Sequence, residues 1–434
     1  MNSTILIGVG DNTYGSGKAY AWTVFALTFG LMLSDYMSRQ VIGALFPLLK
    51  LEWDVTDSQL GALVSIVSLV VGVMTIPMSL IADRWGRVKV ITLSALVWCL
   101  STIACGMAAD YSQLLLARAA VGLGEAAYAA TGAALLAHTF PIAKRSAVLG
   151  AFQSAGLFGS VLGVVIGGVV ATQFGWRTAF YAVGAPGLVL AVLYPLFVKD
   201  YQSVKLNETD NPADPVNTTL RFGEIVRQVF AARTGNFTFL AFGLQMAIPG
   251  ILIAWLPTYF SRFYGMDPKR AGLMAAVAVL AAGVGMACGG GLADRLSKSR
   301  PKFRALVPAA YALVSGVILM TAFALPPGPM ALALVFAGAM FAAAHSGSAL
   351  AIVLDVTHPA VHSTVTATAV VGATLLGMAP GPYLVGMLSD LTDIKVALTC
   401  APLVSLVAAS FFVAASRHYV GDVACLQERI QVSC

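Results

Sequence analysis

The chain has 434 residues, of which 58% are hydrophobic and only 11% charged. Soluble domains average roughly 45–50% apolar and 25% charged residues, so this composition excludes soluble enzymes, nucleic-acid binders, disordered chains and coiled coils. The formal charge of +6 is modest, and where the charges lie matters more than their sum.

A membrane helix needs about 20 mostly apolar residues to cross the hydrocarbon layer. In chain order such runs fall at 20–47, 59–82, 88–108, 112–138, 146–172, 176–198, 236–262, 271–293, 304–325, 329–356, 361–388 and 396–416. They are too long and too rich in Gly and Ala for a transmembrane barrel, whose strands alternate over about 10 residues. Ahead of the first run, Met1 to Lys18 has no basic region followed by a cleavable apolar core, so the first span is expected to do the targeting. Six Cys without a CxxC pair read as buried free thiols.

Basic residues set the orientation of such a chain. With a cytoplasmic N-terminus, Lys50, Arg177, Arg262, Lys269, Arg270 and Lys395 face outward, Arg39 and Arg118 lie within spans, and the other 18 of the 26 Lys and Arg face the cytoplasm. The expectation is an inner (plasma) membrane protein of bacterial type with both termini cytoplasmic. One polar stretch, 199–235, carries Pro212 and Pro215 and divides the chain. It separates a first six-helix bundle (1–198) from a second bundle and cytoplasmic tail (236–434). Within it, Leu220 to Arg233 reads as an amphipathic helix suited to the anionic inner leaflet. Asn207-Glu-Thr and Asn217-Thr-Thr match the glycosylation pattern, but the cytoplasmic placement makes the match accidental.

The two halves repeat. The second span ends in Ser79-Leu-Ile-Ala-Asp83-Arg84-Trp-Gly86-Arg87-Val-Lys89, and the eighth in Gly290-Gly-Leu-Ala-Asp294-Arg295-Leu-Ser-Lys298. Asp83 aligns with Asp294, Arg84 with Arg295 and Arg87 with Lys298. Internal repeats of this kind mark transporters, with the substrate site near the midplane.

With these motifs the sequence resembles the major facilitator superfamily over nearly all its length. The DRWGR block is similar to its cytoplasmic signature, with Ser79 where the family has Gly. Arg118-Ala-Ala-Val-Gly122-Leu-Gly124-Glu125 resembles its second motif, and Gly159, Gly163, Gly167 and Gly168 its glycine-rich packing motif. Finer resemblance, in Gly122 to Tyr128, Trp255 to Phe260 and Gly381 to Asp390, points to the spinster-like branch of lysophospholipid and sphingosine-phosphate carriers. That branch has an acidic residue where Ser38 stands here. The anion:cation symporter branch shares the Arg-to-Glu spacing of the fourth span and competes. The resemblance implies an all-α membrane fold of twelve helices in two six-helix bundles, acting as a monomer by alternating access.

Ionisable groups inside spans are costly, about 2.5–3.5 kcal/mol each on the insertion scale. Asp35 and Arg39 are four residues apart on the first span, and Arg118 and Glu125 seven apart on the fourth, so each pair shares a helix face. Two roles fit them: structural ion pairs, or proton coupling in which a substrate anion competes for the Arg. On the second reading Glu125 is the main proton site, Asp35 a second, and Arg39 and Arg118 sense the anion. Tyr36, Tyr128, Gln153, Trp255, Tyr259 and Tyr383 are further candidates for lining a cavity. Asp83, Arg84, Arg87, Asp294 and Arg295 are candidates for gating contacts between the halves. No ATP-binding loop, zinc motif or nucleophile elbow occurs, so no cofactor, no metal and no enzymatic activity is expected. The expected function is proton-coupled transport of an amphipathic or lipid anion. The alternatives are a small organic anion such as a sugar acid or aromatic carboxylate, or a sensor that kept the fold. Protons and membrane lipids are the other expected partners.

Overall fold

The computed structural model describes residues 17–199, 222–297, 302–358 and 361–433. Twelve long helices run through them. α1 is Lys18–Trp53, α2 Asp57–Trp85, α3 Arg87–Met107, α4 Tyr111–Thr139, α5 Ile142–Phe174 and α6 Trp176–Phe197. After the short helix Phe222–Val229 come α7 Arg233–Tyr264, α8 Pro268–Ser297, α9 Phe303–Ala324 and α10 Pro329–Asp355. α11 runs as His362–Ala373, a π-helical turn Thr374–Met378, and Pro380–Leu391; α12 runs as Ile394–Cys400 and Leu403–Ser433. Among the described residues there is no strand.

Each predicted span overlaps one of these helices. Eleven are long and apolar enough to cross a membrane. α1 is long enough but more polar, because Asp35, Ser38, Arg39 and Gln40 interrupt it. α12 continues to Ser433, well beyond the expected end at 416. Most of the predicted linker, including Asn207 and Asn217, lies outside the described residues, as does Lys298.

Local chemistry explains the helix ends. Thr56 caps α2 in a reciprocal capping box with Gln59. Asp110 caps α4 through the Gln113 amide. Gly86 alone joins α2 to α3 at φ +98°, a conformation that costs other residues about 1–2 kcal/mol. The glycine of the DRWGR block is therefore a turn residue.

The glycines of α5 set the position of α1. Gly156 faces the Tyr36 ring, while Gly159, Gly163 and Gly167 lie against the backbone carbonyls of Leu33, Met37 and Val41. A side chain at any of them would push the helices apart. With this face of α1 taken, Asp35 and Arg39 point toward α4.

Two seams join the bundles, α2 with α11 and α5 with α8. Both are shut from the end bearing Asp57 inward. Gly61 lies against Pro382, Gly72 against Leu375, Gly168 against Pro268 and Gly283 against Leu157. Toward the end bearing Lys18 the pattern changes. A side chain added at Gly290 would enter open space, and Gln153, one turn from Leu157, is exposed. The space between the bundles is thus closed at the Asp57 end and open at the Lys18 end.

Replacing Gly163 with Val should overpack the α1–α5 contact by about 1–3 kcal/mol. A thermal-unfolding midpoint in detergent equal to that of the wild type would contradict this reading of the stripe.

Candidate functional site

The charged groups of α1 and α4 meet near mid-length of both helices. Arg39 Nη2 lies 2.6 Å from Glu125 Oε2, with the Glu125 side chain fully buried. The Asp35 carboxyl is within hydrogen-bonding reach of Glu125. Arg39 also sits over the Tyr36 ring, 5.4 Å from its centroid. Two carboxyls facing one guanidinium leave the trio one negative charge in excess, so a single bound proton neutralises it. Ser34 Oγ, Ser38 Oγ, Ser94 Oγ and Trp98 Nε1 nearby are buried without a protein partner, which leaves hydrogen-bonding capacity around the trio. Ser94 and Trp98 come from α3, a helix that reads as purely apolar packing. Only their polar atoms, at one-turn spacing, could have singled them out.

At Ala126 and Ala127, directly after Glu125, the regular hydrogen bonding of α4 loosens while the backbone stays right-handed helical. α7 loosens likewise after Gln245, and α10 at His345. Glu125, Gln245 and His345 are buried.

Arg118 departs from the expectation that it senses the anion. It is completely buried, and its donors are spent on backbone. Nε donates to the Leu63 carbonyl at 3.1 Å, Nη1 to Ser38 at 2.9 Å and Nη2 to Arg39 at 3.1 Å. It ties α4 to α1 and α2 and holds the backbone that carries Arg39.

The other candidates separate. Tyr128 is buried, donates to the Thr28 carbonyl and packs edge-on against Trp98. Gln153 is exposed where the α5–α8 seam opens. Trp255 is buried, with Nε1 donating to the Pro382 carbonyl at 3.0 Å. Tyr259 belongs to an aromatic cluster with Phe263, Tyr264 and Phe323. Tyr383 faces away from the centre in a surface groove. So Tyr36 and Tyr128 stay with the charged trio, while Trp255, Tyr259 and Tyr383 serve packing or the protein surface.

At the Lys18 end, Asp294 was expected to bridge the bundles. Instead it pairs with Arg304 of α9, within its own bundle, at 2.6 Å. Arg304 also holds Asp355 at 2.8 Å. Arg295 is exposed. The side chains of Asp83 and Arg84 lie outside those described, and Arg87 is engaged in an interaction of its own.

Among the described residues an ion-paired link between the bundles lies at the opposite end, in part on Ser389 and Asp390 of the Gly381 to Asp390 stretch. Asp57 is nearly inaccessible. Its Oδ1 accepts from Lys50 Nζ at 2.6 Å and Arg262 Nη2 at 2.7 Å. Its Oδ2 accepts from Arg262 Nη1 at 2.7 Å and Ser389 Oγ at 2.6 Å. Asp390 caps the start of α2 through the amides of Asp57 and Ser58. Four helices, α1, α2, α7 and α11, are joined there. In the sequence Lys50 and Arg262 read only as outward-facing charges, because the links from Asp57 to Arg262 and Ser389 cross 205 and 332 positions.

The Major Facilitator Superfamily model matches residues 28–382, and the chain belongs to that family. It is 28% identical to the probable L-galactonate transporter of Escherichia coli (strain K12) over 65% of this chain and 63% of that protein. That match spans less than two thirds of the relative's length. Identity to protein spinster homolog 1 of Xenopus tropicalis is 26%, over 87% of this chain and 74% of that protein. A bacterial homolog of the human lysosomal transporter Spinster, solved in an inward-facing and unoccupied conformation, superposes with a TM-score of 0.83 over 94% of this chain and 99% of that one. At 21% identity that likeness is one of fold.

Two outcomes follow from this geometry. Arg118→Met should lower the unfolding midpoint sharply while leaving the pH profile of residual transport in place; a shifted profile with normal stability would restore Arg118 to the coupling site. Asp57→Ala leaves Lys50 and Arg262 unpaired, at a cost of about 3 kcal/mol to the shut arrangement. A cysteine at Ser65, buried in the seam, should then react several-fold faster with a thiol reagent applied from the Asp57 end.

Proposed function

We propose that the protein is a proton-coupled secondary transporter of an organic anion with an apolar portion, working by alternating access. The observation that carries this is the buried trio of Asp35, Glu125 and Arg39. One guanidinium serves two carboxyls in a region where unpaired charge is costly. An anion arriving at Arg39 competes with Glu125 for it, and a carboxyl deprived of its counter-charge takes a proton. Anion and proton occupancy are thereby linked at one place. The predominance of basic residues toward the Lys18 end supports placing that end in the cytoplasm of a bacterial inner membrane. The open end is then cytoplasmic, and the Asp57 network closes the outer side.

The apolar portion of the substrate is inferred from asymmetry. The ion-paired charges at mid-membrane depth lie on the first bundle. At similar depth the second presents Ile253 and Leu256 of α7, Val279 and Ala282 of α8, and Ala339 of α10 around a small apolar pocket. An amphipathic anion, lysolipid-like, suits both walls, with its charge at Arg39 and its hydrocarbon toward α7, α8 and α10. The resemblance to spinster homologs supports this. A second reading, a small organic anion, is favoured by the relatives named for L-galactonate and, in Bacillus subtilis, hexuronate.

Counterflow in proteoliposomes separates the two, with labelled lysophosphatidylglycerol in one arm and labelled galacturonate in the other. The expected result is exchange of the lysolipid that accelerates with an imposed proton gradient. Glu125→Gln should abolish that acceleration. A gradient response unchanged in Glu125→Gln would sink the coupling assignment, and exchange of galacturonate alone would select the second reading.

A further inference from the structure

A groove of about 350 Å³ lies where α2, α4 and α11 meet, on the Asp57 side of mid-membrane. Its walls include Ala62, Ile66 and Leu69 of α2, Leu115 of α4, and Leu375 and Tyr383 of α11. On α2, Leu60, Leu63 and Val67 are buried toward the interior, while Ala62, Ile66 and Leu69 occupy the opposite side of the helix. The groove therefore opens outward, onto the hydrocarbon surrounding these spans. Its lining is almost entirely apolar. Tyr383 is 42% exposed, as suits a residue of the interfacial aromatic belt.

We propose that this groove is a lipid-binding site, in which one acyl chain of a membrane phospholipid lies across the seam and stabilises the arrangement shut at the Asp57 end. Three observations carry this. First, both bundles build the walls, so the groove exists only while the seam is shut. The Tyr383 amide donates to Ser65 Oγ across it at 3.1 Å, and Leu375 packs on Gly72. Second, the π-helical turn Thr374–Met378 places Leu375 in the wall, and such turns are frequent at functional sites. Third, the lining offers the Ser65 and Tyr383 hydroxyls and no ionic partner, which suits a hydrocarbon chain rather than a head group. A ligand that binds only one of two arrangements shifts the population toward it. The lipid thus acts as a state-selective ligand, independently of what the protein carries.

The test uses the full chain in mild detergent with palmitoyl-oleoyl-phosphatidylglycerol as the probe. Native mass spectrometry should show one retained lipid in the wild type and its loss in Leu115→Trp, whose indole fills the groove. Lipid should raise the unfolding midpoint of the wild type but not of Leu115→Trp. Ala62→Leu, a smaller filling, gives the same comparison if the first variant does not fold. Equal lipid retention and an equal midpoint rise in wild type and a folded filling variant overturn the proposal.

Discussion

A charge inside a bilayer has to find its counter-charge within the protein, and the pairing of Arg39 with Glu125 is the interaction around which the first bundle is arranged. The glycine stripe of α5 lets α1 approach until its Tyr36–Arg39 turn faces α4. Arg118 then spends its charge on three carbonyls, two of them on the turn that carries Arg39. Removing one member of a buried pair costs about 3–5 kcal/mol, so the pair is also a structural element. The two roles considered for these charges are therefore compatible. A pair that holds α1 to α4 is one whose rearrangement on binding moves those helices.

Most of the architecture is legible in the sequence because the bilayer imposes a simple rule. Apolar runs of the required length report every helix, and the repeated Asp-Arg block reports the division into halves. Local loosening of a helix was harder to see. Nothing in Glu125-Ala126-Ala127-Tyr128 marks an irregularity, and the backbone there stays right-handed helical. Among site residues, spacing put Asp35 with Arg39 and Arg118 with Glu125 on shared helix faces, and the structure shows that the two faces meet. It could not distinguish Arg118, whose environment is set by backbone carbonyls on two other helices. Aromatic residues were the least readable. Tyr128, Trp255, Tyr259 and Tyr383 all sit in similar apolar context, yet end in a polar cluster, a helix contact, an aromatic core and a lipid-facing groove.

The second bundle repeats the frame of the first and changes its chemistry. α10 loosens at His345 much as α4 does after Glu125, and α7 loosens beside Gln245. His345 Nδ1 and Gln245 Nε2 share the Ala342 carbonyl. His345 is packed between Phe242 and Phe412, which agrees with a hydrogen-bonded packing role. Where one bundle concentrates charge, the other places uncharged polar groups inside and apolar residues outside. Two bundles of like geometry and unlike polarity suit a substrate that is itself two-sided.

The Asp57 network sets the energetic problem of the transport cycle. It joins four helices through a nearly inaccessible carboxylate, and access from its side requires that Arg262 and Ser389 leave that carboxylate. An alternating-access protein works only if its two arrangements differ by a few kcal/mol. The loss of the network must therefore be offset at the other end. On the Lys18 side the repeated Asp-Arg blocks are the available counterpart, and Asp294 is at present held by Arg304 within its own bundle. That contact leaves the bundles free to separate there while they are tied at Asp57. Closing the Lys18 end by the same kind of contact would require charges such as Asp294 to be redirected across the seam. The scarcity of charge that marks the composition thus shapes the gate, since one carboxylate, Asp57, carries the ionic link between α2 and α7 at the closed end.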